Sequence, residues 1–195
     1  MTLMSSTTSS PLNLIALVGS LRVASLHRTL FNAAQELVPE GVVLTEVPLS
    51  DVPLYNGDIE DAGDPAAVRH LKDAVAAADG IVIFTPEYNR SIPAVTKNAI
   101  DWASRTPGAS AIGGKPVASV SASPGGHEVE GVRAALAATL AGARARPFAK
   151  SVGLANGFSL LEDGRLADPV ARTTLAEYLA EFSEFVRTEA LTVSA

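Results

Sequence analysis

Three short stretches carry more hydrogen-bonding and ring chemistry than connectors need. The first is "GSLRVAS", residues 19–25. Ser20 and Ser25 offer hydroxyls, Arg22 a guanidinium, and Gly19 a tight backbone turn. A helix starting here would add unpaired backbone N–H groups and the positive end of its dipole, which together suit a terminal phosphate. The stretch lacks the Gly-Lys-Ser/Thr ending of a P-loop and is not GxGxxG. An ordinary helix N-cap with an exposed Arg would use the same residues. The second stretch is "TPEYNRSIP", residues 85–93. Pro86 and Pro93 stiffen its ends. Tyr88 supplies an aromatic surface, Asn89 and Ser91 present hydrogen-bonding groups, and the loop leaves backbone groups unpaired. A planar, polar-edged heteroaromatic ring needs that combination; a rigid turn with Tyr88 covering the core would also account for it. The third is "SASPGGHEVEG", residues 121–131, where Ser121 and Ser123 add donors and Gly125 and Gly126 permit close backbone approach. A flexible glycine turn is the plainer reading.

The elements between these stretches decide whether they meet. "LNLIALV" (12–18), "GVVLTEVPL" (41–49), "GIVIF" (80–84) and "KPVASVSAS" (115–123) are nearly continuous apolar runs. Such runs suggest strands covered on both faces. Helical patterns alternate with them at 25–37, after Asp64-Pro65, at 93–103, from Val129 to Leu140, and after Asp168-Pro169. In the last, Leu175, Tyr178, Leu179, Phe182, Phe185 and Val186 form one stripe. Asp64-Pro65 reads as an N-cap followed by Pro at the first helical position. This alternation predicts an α/β doubly wound parallel sheet. A fifth strand is expected within 146–155, giving a five-stranded flavodoxin-like order with helices on both faces. Asp163-Gly164 marks a hairpin-like excursion at 157–168. Residues 1–10 read as a flexible leader and 11–195 as one domain. In open parallel sheets ligands bind at the carboxyl ends of the strands. All three stretches fall there. A phosphate site joined to a planar-ring site has the shape of flavin mononucleotide.

Composition removes competing chemistries. Cysteine is absent from all 195 residues, which excludes disulfides, thiol nucleophiles and thiolate-held metals. His27, His70 and His127 have no metal-ligand spacing, so no metal site is expected. A net charge of −6 argues against a nucleic-acid partner. No apolar run is long enough to span a membrane, and no signal peptide is visible, so the cytoplasm is the expected address.

"GSLRVASLHR", "PEYNRSIPAVTKNAIDW" and "SASPGG…GVR" together resemble the NAD(P)H-dependent FMN reductase family, in particular its branch of bacterial chromate and quinone reductases and azoreductase-like proteins. The resemblance runs from about Leu12 to the last helix and implies a flavodoxin-like fold, FMN as cofactor, NAD(P)H as co-substrate, and a homodimer or homotetramer. It implies that Ser20, Arg22 and Ser25 hold the FMN phosphate. Pro86, Glu87, Tyr88 and Asn89 would line the ribityl chain and ring, and Ser123, Gly125 and Gly126 would approach the ring from the other side. His27 stands where many relatives carry Asn; it either substitutes as a phosphate donor or turns outward. The third loop is longer than the family's pattern, though Arg133 matches. The implied activity passes electrons from NAD(P)H through FMN to a quinone, with azo compounds, chromate or free flavin as other acceptors. The flavin carries the chemistry, so no catalytic side chain is named. A flavodoxin-type electron carrier or a non-catalytic flavin-binding module is the alternative. Tyr55 either reaches a neighbouring subunit's flavin or packs locally. Lys97, Asn98 and Asp101 read as a solvated or interface helix face, and His70 as an exposed residue. Ile100 and Trp102 read as core or subunit-interface packing; Trp102 lies off the core-facing stripe of its helix and is expected to fill a partner's surface, the competing view being that it folds back over its own subunit.

Overall fold

The computed structural model of the chain describes residues 10–105, 108–126 and 129–193. The expected leader lies outside the described residues except for Ser10, as do His127 and Glu128 of the third loop.

The first apolar run forms β1 (Leu12–Val18), followed by α1 (Leu26–Leu37) and β2 (Val42–Glu46). Next come a short α2 (Gly57–Asp61), α3 (Ala66–Ala77), β3 (Gly80–Phe84), α4 (Ala94–Ser104), β4 (Pro116–Ala122) and α5 (Glu130–Gly142). The strands order as β2-β1-β3-β4, all parallel, with a fifth position beyond β4. This is the flavodoxin-like order, which places a strand-order reversal between β1 and β3.

Alternation along each strand divides the core into two. Leu14, Ala16, Val18, Val82 and Phe84 face α1 (Leu30, Phe31) and α6 (Pro169–Val193). Ile15, Leu17, Ile81 and Ile83 face α3, α4 and α5, meeting Leu71, Ile100 and Leu136. Both faces are covered, which is why the strands read as continuous apolar runs.

Two starts differ from expectation. Asn56 accepts from the Asp58 amide and so begins α2, which the sequence pattern did not announce. At α3 the capping position belongs to Pro65. Asp64 does not cap it; its carboxylate pairs with Lys72 at 2.8 Å. Asp168, by contrast, does cap α6, accepting from the Ala171 amide.

The fifth strand position is shared by two pieces, β5 (Arg146–Pro147) and β6 (Val152–Leu154), each pairing with β4. The chain leaves the sheet between them because Phe148 turns its ring into the aromatic stripe of α6, within 5.2–5.6 Å of Tyr178, Phe182 and Phe185. That departure exposes the Ser119 backbone of β4, and the buried Tyr178 hydroxyl replaces the missing strand. It accepts from the Ser119 amide at 2.9 Å and donates to the Ser119 carbonyl at 3.0 Å. Burial pushes this phenol well above its ordinary pKa, so it stays protonated to act as the donor. Beyond β6, β7 (Leu161–Glu162) and β8 (Arg165–Leu166) form the expected hairpin. Asp163 and Gly164 both have positive φ, as a type I′ turn requires.

Candidate functional site

The loops after β1, β3 and β4 converge on one pocket of ≈ 200 Å³ at the carboxyl edge of the sheet. It gathers Ser20, Arg22, Ser25, His27, Pro86, Glu87, Tyr88 and Ser123 from the expected set. Asn89, Gly125 and Gly126 do not line it.

The first loop is built around α1. Ser25 is the N-cap, its hydroxyl accepting from the His27 amide at 3.2 Å. Ser20 is buried, yet its hydroxyl makes no hydrogen bond among the described residues. The Arg22 guanidinium has no ion pair there either. None of the backbone amides from Ser20 to Leu26 makes a hydrogen bond of ordinary geometry within the described residues. Uncommitted donors therefore cluster where the α1 dipole is positive. Gly19 is required for a reason other than turning. A Cβ there would lie 2.1 Å from Thr96 Oγ1 and 2.9 Å from Thr85 Oγ1, a buried hydroxyl pair beneath the loop.

His27 neither reaches toward an anion nor turns outward. Its ring is only 3% exposed, and Nε2 accepts from the Ala122 amide at 3.1 Å. The ring also hydrogen-bonds the Thr85 backbone. It thus ties the start of α1 to the ends of β3 and β4. Desolvation lowers its pKa from 6.5 to about 4, although the Thr85 hydrogen bond opposes the shift, so the ring is neutral at pH 7.

In the second loop Tyr88 and Ser91 exchange backbone hydrogen bonds, closing a two-residue hairpin. Asn89 (φ 52°) and Arg90 (φ 62°) sit at its apex in the left-handed region. Asn tolerates that conformation; Arg rarely adopts it. Asn89 is exposed at the tip, outside the pocket wall. Glu87 lines the pocket, but its carboxylate accepts from the Val132 amide at 2.9 Å, in the first turn of α5. It thereby caps a helix from another loop and locks the two together. In the third loop the Ser123 hydroxyl bonds Gly125, whose carbonyl accepts from Asn156 at 2.7 Å. Gly125 and Gly126 therefore lie against the segment after β6.

The other residues singled out in the sequence also find their places. Tyr55 packs locally: its ring meets Trp102 edge-on at 5.0 Å and its hydroxyl donates to Glu60. Asn98 is buried, accepting from the Tyr55 amide and donating to the Pro53 carbonyl. Lys97 and Asp101 pair with each other along the helix, and His70 is exposed on α3. Trp102 takes the second of its two placements and not the partner-facing one. It is fully buried in its own subunit and donates to the Pro53 carbonyl at 2.8 Å. Residues 53–55 of the same chain cover it, with Lys72 of α3 over the ring.

Phe158 was missed. It lines the pocket from a 3-10 helix, Gly157–Leu160, that belongs to none of the three stretches.

Residues 12–159 match the family model described as NADPH-dependent FMN reductase. The chain belongs to that family. It is similar to an NAD(P)H-dependent FMN reductase of Pseudomonas aeruginosa, 35% identical over 181 residues, covering 92% of this chain and 97% of the relative. It is 47% identical over 108 residues to a quinone reductase of Pseudomonas putida, covering 55% of this chain and 58% of the relative. The chain thus spans a little over half the length of the quinone reductase it matches. Among solved structures it resembles FerB, a flavoenzyme NAD(P)H:acceptor oxidoreductase of Paracoccus denitrificans, with TM-score 0.82, 30% identity and coverage of 91% of this chain and 98% of that one. In this FMN reductase family the cofactor is FMN. The pocket's chemistry fits that cofactor's phosphate: among the described residues, the accessible Ser20 hydroxyl without a partner, an unpaired guanidinium and uncommitted helix-start amides are the groups an anion recruits.

Proposed function

We propose that this chain is an FMN-dependent NAD(P)H oxidoreductase that reduces quinones. One observation carries the reading: the uncommitted donors of the first loop open into the same pocket as Pro86, Tyr88 and Ser123. Ser20, Arg22 and the α1 amides would hold the phosphate. Pro86, Tyr88 and Ser123 would line the path toward the ring, while His27 and Glu87 hold the walls in place through backbone amides. FMN would supply the redox chemistry, taking a hydride from NAD(P)H and returning two electrons to the acceptor. With a quinone the balance is NAD(P)H plus one proton plus quinone, giving NAD(P)+ and hydroquinone. Use of NAD(P)H favours a cytoplasmic site of action.

The visible spectrum of the isolated protein, followed by NAD(P)H oxidation with and without a quinone, tests this. Flavin absorption with direct, quinone-dependent oxidation is expected. Flavin without direct oxidation would instead mark an electron carrier or a non-catalytic flavin module. Arg22→Ala is expected to weaken FMN binding by about tenfold to a hundredfold, the loss of one charge-assisted hydrogen bond. Fluorescence titration measures it; unchanged affinity would remove Arg22 from the site.

The pocket's ≈ 200 Å³ falls below the roughly 300–1,000 Å³ of complete ligand sites. Leu21, Val23, Leu54 and Tyr88 are exposed on loops at the same edge, Val23 to 96%. We take the assembly to be at least a homodimer whose second copy covers this edge. Light scattering of the FMN-loaded protein across a dilution series should give a multiple of the 20.1 kDa chain. A monomeric mass at micromolar concentration with full activity would exclude it.

A further inference from the structure

Phe158 is an exposed aromatic ring on a rigid mount. Its segment is pinned to the third loop: the Asn156 amide donates to Gly125 at 2.7 Å and the Gly157 amide to Ser123 at 2.8 Å. The Ser159 amide and hydroxyl both return to the Asn156 carbonyl. Gly157 packs so closely on α1 that a Cβ would lie 2.3 Å from Leu26 Cδ2. The chain therefore crosses the end of β4 in a fixed path, and the next side chain is delivered to the pocket wall. Phe158 is 51% exposed there and Tyr88 55%. Neither ring stacks on another aromatic ring among the described residues.

Two aromatic surfaces left open at one pocket, one of them held by three backbone hydrogen bonds, are preorganised for a flat apolar partner. The charges nearby point the same way. Glu87 is turned to the Val132 amide. Arg22 lines the phosphate end, and Arg90 is directed along the exposed hairpin within 3.9 Å of Glu87. Among the described residues, no second Lys or Arg lines the pocket to receive a small dianion.

We propose that Phe158 is a specificity-determining residue: with Tyr88 it forms the face on which a planar, uncharged electron acceptor of the quinone class rests. This deepens the flavin-dependent reading above and depends on it. The ring contributes binding, not chemistry. Its removal should weaken acceptor binding without altering how electrons leave the cofactor.

The probe is 1,4-naphthoquinone, titrated into the oxidised, FMN-loaded protein without NAD(P)H and followed through the flavin's visible absorption. Phe158→Ala should raise its Kd about tenfold, the scale of one lost aromatic contact. Phe158→Tyr, which keeps the ring, should restore it. Under turnover, the kcat/KM ratio for naphthoquinone over ferricyanide, a non-planar anion, should fall about tenfold through KM. Equal naphthoquinone Kd in the original chain and Phe158→Ala would overturn the proposal. A Phe158→Ala protein that loses mass in light scattering yet keeps its naphthoquinone affinity would assign the ring to a subunit contact, and also overturn it. So would weaker FMN binding with unchanged naphthoquinone affinity, which would give the ring to the cofactor. Failure of the original chain to bind FMN would remove the functional reading itself, and this inference with it.

Discussion

Replacing Trp102 with alanine is expected to lower the unfolding free energy by about 3–5 kcal/mol, the range for deleting a fully buried large aromatic. The indole is entirely enclosed. It meets Tyr55 edge-on at 5.0 Å, and its Nε1–H donates to the Pro53 carbonyl at 2.8 Å. It therefore joins α4 to the 53–55 segment that leads into α2. The cavity should dominate the loss, because the Pro53 carbonyl keeps a second donor, Asn98 Nδ2, also at 2.8 Å. Trp102→Phe keeps a six-membered ring but loses the N–H and part of the indole volume, so an intermediate loss of about 1–3 kcal/mol is expected. Urea unfolding of the flavin-free protein measures both, without ligand linkage entering the midpoint. The outcome that would sink this account is a Trp102→Ala protein with an unchanged midpoint but a smaller mass in light scattering. That would return the ring to a subunit interface.

Trp102 also shows where a helical pattern stops being informative. Its angle on α4 places it off the sheet-facing stripe, and the pattern cannot say what lies on that side. Here it is a loop some fifty residues earlier in the same chain. Strands covered on both faces were easier to read. The runs 12–18 and 80–84 coincide with β1 and β3, since nothing but a fully buried strand between helix patterns explains so short a continuous apolar run. The fifth position was legible in place and not in form. Its interruption depends on Phe148 meeting an aromatic stripe thirty residues downstream and on Tyr178 bonding the vacated Ser119 backbone.

The site was legible as three loops, because the carboxyl-edge rule needs only strand order. What each side chain does within them was not. Glu87 sits where a ring-binding residue was expected, yet its carboxylate faces the first turn of α5, 45 residues away in sequence. Asn89 has the right chemistry and occupies the exposed apex of the turn, where it does not line the pocket. Phe158 left no signal at all. An isolated Phe in a glycine-containing connector becomes part of the pocket only through backbone bonds to Ser123 and Gly125.

Acidification is expected to weaken the fold through His27. The ring is buried against the ends of β3 and β4, and desolvation depresses its pKa from 6.5 to about 4 in the folded chain. The folded state therefore binds fewer protons than the unfolded state between those two values. Stability contributed by the neutral ring is complete above pH 6.5. It is lost as the pH falls toward 4, a total of about 3 kcal/mol for a shift of this size. The geometry gives the cause. Nε2 accepts from the Ala122 amide, so protonation sets two N–H donors against each other at 3.1 Å at a largely buried ring. His27→Gln removes the titration and keeps an acceptor for Ala122. Urea midpoints from pH 7.5 to 4 in the flavin-free protein should fall more steeply for the original chain than for His27→Gln. Carboxylates common to both cancel in that difference. Ala122 and His27 both line the proposed FMN pocket, and the folded ring charges only near pH 4, so an effect of His27 on FMN affinity should appear there and not between pH 6.5 and 5. Parallel stability curves for the two proteins would mean that His27 does not govern acid sensitivity, and that its ring is not held neutral by burial.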